Sequence, residues 1–432
     1  MVGIFWPAHK PRAAQILRMK FWCWLSLALA AGRLWSGEFT DSSRPAEKLL
    51  GTWLPSEGWS ETSAKAWAKI LRLPVESETA YQSSFRAYPR SDFRALGAQP
   101  QSIALLATED RPEQLTLVFA NKGDSPGDGQ LFGGRAQRAA SLEAAVNAAV
   151  AADADQIRET LVSVLGKPRR QGFGDFGKTR ESVERWDHEG TAFLLVEQKG
   201  EYTAVRILPI GTADAGGRAN RISDAQLRER MKQNVIRREN GDLVIGNIPM
   251  IDQGPKGFCV PATYARVLLY SGVPADLYLL ALLGKTGIGG GTYTSSMENS
   301  ARALAASYGR SISSVSPALD LSKLESYFER GIPLTWALYV DEALDRDLSL
   351  RVRERAEATP KTWSQTLEPK RKAARNIRRN PRNGHVCLLI GCNRKTGELA
   401  TSDSWGPEFA ERWITVEEAR ALSQGDLGAI VP

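Results

Sequence analysis

The amino-acid sequence predicts an α+β protein built in two parts, and three observations carry that expectation. Residues 102–119 and 183–210 hold short runs of alternating or clustered apolar residues, with one long alanine-rich helical pattern between them. From residue 243 onward helices come first and strands close the chain. Between the two parts lies "GTADAGGRANR", residues 211–221, the best linker in the chain. A chain of 432 residues with 42% hydrophobic content is long enough for two cores. The expected divisions are a signal-peptide region at 1–37, an N-terminal α+β domain of unknown role at 38–212, a linker and bridging helix at 213–242, and a second domain at 243–432.

The N-terminus reads as a targeting segment. Met19 and Lys20 precede "FWCWLSLALAAG", residues 21–32, which Arg33 interrupts. That run falls short of the about 20 apolar residues a membrane span needs. A basic start, a short apolar core and small residues at Ala28-Leu29-Ala30 have the form of a secretory signal, with either Met1 or Met19 as the start. The expectation is export to the periplasm or beyond, with membrane contact only during export.

Elements then follow in order. "SAKAWAKILRL" (63–73) predicts a short amphipathic helix, and "SIALLA" (102–107) and "QLTLVF" (114–119) predict strands. Residues 140–165 predict a helix ended by Gly166 and Pro168. "VERWDHEG", "TAFLLVEQ" and "YTAVRILPI" predict an antiparallel meander, and residues 223–237 a charged bridging helix. After the strand-like "LVIGNIPMI" (243–251), helices are expected from Cys259 to Gly272, over "PADLYLLALL", from Ser295 to about 308, and over "LSKLESYFERG". Ser295 and Glu298 carry the spacing of a capping box. "IPLTWALYV", "HVCLLIGC", "ELATSDSW" and "ERWIT" predict the closing strands.

The net charge is +7, but residues 346–382 alone hold twelve Lys or Arg against four acids, so the remainder is close to neutral. This basic segment predicts a solvated helical insertion at the rim of the site, and an anionic partner is one expectation for it. Three histidines (His9, His188, His385) and no C-x-x-C pair argue against zinc, and no cofactor is expected. "GFGDFGKT" (172–179) satisfies a phosphate-loop pattern. It lacks the buried strand before it and the helix after it, so it reads as a chance match and no nucleotide is expected.

The chemistry centres on "DQGPKGFCVPATYARVLLY", residues 252–270. Cys259 opens an apolar helix, where free N–H groups and the helix dipole favour a thiolate. An ionised thiol also needs an imidazole, and elimination leaves His385, at the head of an apolar strand. Asp403, in "SDSWG" seventeen residues past His385, is the natural acceptor to fix the imidazole, with Trp405 as its cover from water. Gln253, six residues before the thiol, can set its amide beside the Cys259 N–H as an oxyanion donor. Gly289, Gly290 and Gly291 predict either a cleft wall that a substrate backbone approaches or a flexible loop. Cys387 shares a strand face with His385, and Cys392 is expected on the other face, which argues against a disulfide between them.

Q-G-x-x-G-x-C before a helix, G-H-V on a strand and an acid before S-W-G resemble the papain-like cysteine peptidases. The resemblance is nearest to the bacterial bacteriocin-processing (double-glycine leader) peptidase-like family and covers about residues 247–420. It implies a papain-like domain with N-terminal helices and a C-terminal antiparallel sheet. By the same resemblance Cys259 is nucleophile, His385 general base and acid, Asp403 the orienting residue and Gln253 the oxyanion donor, with a peptide or protein as substrate. Val260 and Pro261, where papain has bulky aromatic surroundings, and Asp403, in place of an asparagine, depart from papain itself. The expected function is an exported cysteine peptidase working through an acyl-enzyme. A catalytically inactive binding domain, or acyl transfer and amide crosslinking by the same triad, are the alternatives.

Overall fold

Strand alternation builds a first sheet from the N-terminal half. β1 (Val75–Glu78), β2 (Ser83–Ala87), β3 (Ser102–Thr108), β4 (Arg111–Asn121), β5 (Arg169–Phe173), β6 (Glu181–His188), β7 (Thr191–Gln198) and β8 (Tyr202–Pro209) lie in the order β1-β2-β3-β4-β8-β7-β6-β5. Every neighbouring pair is antiparallel. The structure is a computed structural model that describes residues 62–125, 135–175, 179–218 and 221–432. The signal-like region at 1–37 lies outside the described residues. So does part of the phosphate-loop-like stretch, whose described ends lead from β5 directly into β6.

The expected meander is β6 to β8. Glu189 and Gly190, at φ 44° and 79°, form the two-residue turn between β6 and β7. α1 (Ala64–Ile70) is capped by Ser63. α2 (Arg135–Leu165) buries Val146, Val150, Ala154, Ile157 and Leu161, three or four residues apart, on a single face. That face packs on β4, β7 and β8, and Gly166, in the left-handed region, ends the helix.

The other face of the sheet turns toward the C-terminal half. Ala192, Leu194 and Val196 of β7 and Tyr202, Ala204 and Leu208 of β8 share one hydrophobic cluster with Phe258, Val260, Tyr264 and Tyr278. Burial on both faces explains why "AFLLV", residues 192–196, is apolar without a break. The described residues belong to one compact unit.

α3 (Ile210–Asp214) leads to α4 (Asp224–Gln233), which opens with a full capping box of Ser223 and Gln226. The charged helix expected over 223–237 therefore stops early. Asn234 caps it, and Val235–Arg237 becomes β9, paired with β10 (Leu243–Ile245).

α5 (Cys259–Tyr270) is buried on almost every face. Pro261 is tolerated in its first turn, and Gly272 at φ 70° closes it, its N–H bonded to Leu269 O and that of Val273 to Leu268 O. α6 (Leu277–Leu283) is capped by Asp276. α7 (Thr294–Ser307) starts two residues earlier than its sequence signature implies: Tyr293 is the extended residue at its head, Ser295 is already helical, and no side chain caps the helix. The expected capping box is thus not formed.

The second sheet collects β9 and β10 with β11 (Ser311–Ser314), β12 (Leu334–Tyr339), β13 (Gly384–Asn393), β14 (Glu398–Ser402), β15 (Arg412–Thr415) and β16 (Ser423–Val431). The order is β11-β16-β12-β13-β10-β9, with β14 on the free side of β13 and β15 beside β14. α8 (Leu321–Phe328) precedes β12. α9 (Glu342–Glu357) and α10 (Pro360–Ala373) form the insertion between β12 and β13, and α11 (Val416–Leu422) precedes β16. Mixed helices and antiparallel sheet, with helices leading in the C-terminal half, match the expected architecture. β1, β2, β5, β11, α11 and β16 were not anticipated.

Cys392 corrects the parity expected for β13. The β13–β14 register shifts between Leu389 and Gly391, a bulge that turns the strand by one residue. Cys387 and Cys392 consequently join the same hydrophobic cluster, on the side opposite Val386, Leu388 and Ile390. Both are free thiols.

A candidate cysteine–histidine–aspartate active site

Cys259 stands at the first position of α5, half-buried, and the residue before it, Phe258, offers no side-chain cap. The first-turn N–H groups are therefore unpaired within the helix and directed at the thiol end. The His385 ring and the backbone N–H groups of Val260 and Val386 stand around the Cys259 sulfur and favour its ionised form. One turn further along α5, Thr263 donates its hydroxyl to Val386 O at 2.9 Å. Helix and strand are thus pinned together at the residue that follows His385.

His385 heads β13 beside Leu338 of β12 and is buried. Its Nε2 lies 2.7 Å from Asp403 Oδ1, which leaves Nδ1 for Cys259. Asp403 directly follows β14, and its N–H donates to Phe409 O at 3.0 Å, so the backbone as well as the ring fixes it. Trp405 stacks on the imidazole at 4.5 Å and 29°, and Phe409 packs edge-on against Trp405. The indole thus lies against the imidazole of the His–Asp pair.

These contacts set the charges. Burial alone would raise the Cys259 thiol, but the hydrogen bond and charge of His385, with the two backbone N–H groups, hold it below its usual range. Burial would lower the His385 imidazolium; its bonds to Asp403 and Cys259 instead raise it well above the usual histidine value. Burial would raise Asp403, yet His385 and Arg412 push its carboxyl down to about 2. All three shifts favour a thiolate–imidazolium pair backed by a carboxylate. Cys387, by contrast, is pushed well up by burial and is no nucleophile.

Gln253 is brought to the loop before Cys259, but in a different posture from the one expected. Its backbone N–H donates to Ser404 O at 2.8 Å, next to Asp403. Its side-chain amide donates to Lys256 O at 3.0 Å, closing the nucleophile loop rather than standing free, and Oε1 is buried without a partner. An amide nitrogen carries two hydrogens, so one donor is left over.

The glycine loop meets the protein's own backbone. Gly257 and Gly290 form a parallel bridge, Gly291 N–H donates to Gly257 O at 2.8 Å, and Gly289 N–H to Lys122 O at 3.1 Å. Gly289, Gly290 and Gly291 all have φ between 78° and 94°. The close approach that these glycines permit here is to the protein's own backbone at Gly257, a contact that neither reading of the loop anticipated.

The first sheet reaches the same loop. Met250 N–H is bonded to Ser77 Oγ, Asp252 N–H to Glu76, and Asp252 O accepts from Tyr88 Oη at 2.5 Å. The Lys256 ammonium donates to Asp124 O, and Phe258 packs against Gly123. His188 lies far from this constellation, at the end of β6.

Sequence reasoning missed two arginines. Arg266, inside α5, donates to Pro249 O at 2.9 Å, Ser402 O at 3.2 Å and the hydroxyls of Ser402 and Ser404, tying the helix to the end of β14. Arg412 of β15 holds Asp403 Oδ2 at 2.7 Å. A charged residue inside an apolar run, as in "ATYARVLLY" and "ERWIT", is the signal that would have found both, because such a charge is buried only when paired. Among the described residues no cluster of His, Cys, Asp or Glu is built to hold a metal ion. No helix among them is long and apolar enough to cross a membrane.

Residues 245–424 match the model of the Peptidase_C39 like family. The matched segment contains Gln253, Cys259, His385 and Asp403, and agrees with the 247–420 span that the motifs marked out. The match supports a papain-like cysteine peptidase fold for this segment. Among solved structures the chain is similar to the peptidase domain of Streptococcus ComA, a bi-functional ABC transporter involved in a quorum sensing pathway. That likeness has 15% identity, 42% coverage of this chain, 97% coverage of that chain and a TM-score of 0.27. No curated protein matches the chain.

Proposed function

We propose that the C39-like segment is an active cysteine peptidase, exported by the signal-like N-terminus, that hydrolyses peptide bonds through an acyl-enzyme. The observation that carries this reading is the continuous chain from Cys259 through His385 to Asp403. The Cys259 thiolate adds to the carbonyl carbon of a peptide bond. The oxygen that becomes negative is met by the N–H groups at the start of α5 and by the second amide hydrogen of Gln253. The His385 imidazolium gives its proton to the leaving amine, and the C–N bond breaks. His385 then takes a proton from water, whose oxygen attacks the thioester and releases the acid and the thiol. Asp403 keeps the imidazole oriented and its charge balanced throughout.

The hydrogen bonds from Ser77, Glu76 and Tyr88 to residues 250–252 support a loop-positioning role for the N-terminal sheet. Gly289–Gly291 and Trp405 would border the substrate. The exposed arginines of the insertion, Arg346, Arg353, Arg375, Arg378 and Arg382, would face an anionic partner. Four others of the segment (Arg351, Arg355, Lys370 and Arg371) are engaged in ion pairs of the fold.

The test is the alkylation rate of Cys259 by iodoacetamide against pH, read by peptide mapping, with His385→Ala alongside. Fast labelling well below pH 7 that the variant loses is the expected result. The engaged amide of Gln253 favours a second reading, an inactive binding domain. On that reading labelling rises only near the ordinary thiol pKa of about 8.5 in both proteins.

A further inference from the structure

Arg412 is buried, with 3% of its side chain exposed, on a strand otherwise made of Trp413, Ile414 and Thr415. Its Nη2 lies 2.7 Å from Asp403 Oδ2, while Asp403 Oδ1 is taken by His385. Its Nη1 lies 2.8 Å from Asp345 Oδ1 and 3.1 Å from Ser349 Oγ. Asp345 and Ser349 are one turn apart on α9, so both face β15. The guanidinium also sits 4.9 Å from the Phe409 ring centre and 5.5 Å from that of Trp405.

A carboxylate held by one oxygen turns easily about its last bond, because that torsion is broad. Partners on both oxygens fix its plane. Cys259, His385, Asp403, Arg412 and Asp345 also alternate in charge, so the buried His385, Asp403 and Arg412 are each compensated by a neighbour. We propose that Arg412 is a positioning residue for the triad, locking the Asp403 carboxylate against His385 and anchoring it through Asp345 to α9. The insertion between β12 and β13 is then part of the frame that holds the imidazole. This inference rests on the cysteine-peptidase reading of Cys259 and His385.

The groups facing Asp403 are His385 and Cys387 from β13, Arg412 from β15, Asp345 from α9 and Arg266 from α5. Removing the Arg412 cation leaves Asp403 easier to protonate, so the thiolate–imidazolium pair is lost at a higher pH. The experiment is Cys259 alkylation by iodoacetamide on the full chain across pH 4–8 for wild type, His385→Ala, Arg412→Met and Arg412→Lys, with melting temperatures. Near pH 5 the rate is expected to fall about tenfold in Arg412→Met and about threefold in Arg412→Lys, with less than about twofold change near pH 7.5. A merely structural role would lower the melting temperature and scale the rate equally at every pH.

Should Arg412→Met fail to fold, Arg412→Lys decides alone. If His385→Ala loses low-pH reactivity while Arg412→Lys keeps the wild-type profile, or a uniformly scaled one, the role of Arg412 is overturned and the peptidase reading stands. If His385→Ala keeps the wild-type profile, the peptidase reading falls and the role of Arg412 falls with it.

Discussion

Gly257 and Gly290 cross so closely that a Cβ built on Gly290 would lie 2.7 Å from the Gly257 Cα. Two loops from either side of α5 thereby meet directly before Cys259. Gly290 has φ 94°, so Gly290→Ala combines a clash with a strained backbone. It is expected to lower stability by about 2–4 kcal/mol and to slow Cys259 alkylation. Gly291→Ala meets open space and carries only the strain of φ 86°, about 1 kcal/mol. Urea unfolding of the two variants measures the contrast, and equal stabilities would contradict the crossing.

Trp405 stacks on the ring of His385, and shielding of that ring from water is the role this contact predicts. Trp405→Ala exposes the pair to a high dielectric and weakens the attraction that sustains the imidazolium. Cys259 alkylation near pH 6 is expected to slow about tenfold, and only about twofold in Trp405→Phe, which keeps a stacked ring. An unchanged rate in Trp405→Ala would remove the shielding role.

The Asp403 carboxyl titrates at about 2 when folded and near 3.9 when unfolded, so the folded state binds its proton less readily. Its contribution to stability is complete above about pH 4 and disappears as pH falls through about 2. Asp403→Asn leaves Arg412 buried with one carboxylate fewer, at a cost of about 3–5 kcal/mol near neutral pH. The gap between wild type and variant is expected to narrow by about 2 kcal/mol as the acid range is crossed. Denaturant unfolding at stepped pH measures it; a constant gap would show that the pairing does not set the carboxyl.

Arg266 stays charged although burial lowers it to about 10. Arg266→Met would leave Pro249 O, Ser402 O and two serine hydroxyls without their donor. A loss of about 3 kcal/mol or more is expected in thermal unfolding, together with slower Cys259 alkylation, because Ser402 and Ser404 flank Asp403. A loss below about 1 kcal/mol would mean the acceptors find water instead.

Much of the fold was legible from the sequence because its long elements repeat their pattern several times over. α2 shows five buried positions in one stripe, and the β6–β8 meander has a glycine turn at each bend. β16 was invisible because Gly425, Asp426 and Gly428 break its alternation, and its pairing with β11 and β12 supplies what the local pattern lacks. The bulge at Gly391 was equally silent. A Cβ there would meet Leu243 O at 2.2 Å, so the close approach of β10 decides the parity of Cys392, and β10 lies over a hundred residues away. Ser295 failed as a cap because the chain is already helical there, with the N-cap position falling on Tyr293.

By itself the sequence determined which three side chains make up the candidate site. One thiol at a helix start, one histidine free to meet it and one acid on the neighbouring strand are a choice that residue identity and elimination can make. Tertiary structure alone decided what holds them: Val386 and Thr263 across helix and strand, Arg266 behind Ser402, Arg412 and Asp345 behind Asp403, and Gly290 against Gly257. The reason is physical. Local pattern records which face of an element is apolar, whereas a buried charge is stable only beside a partner that the fold brings from elsewhere in the chain.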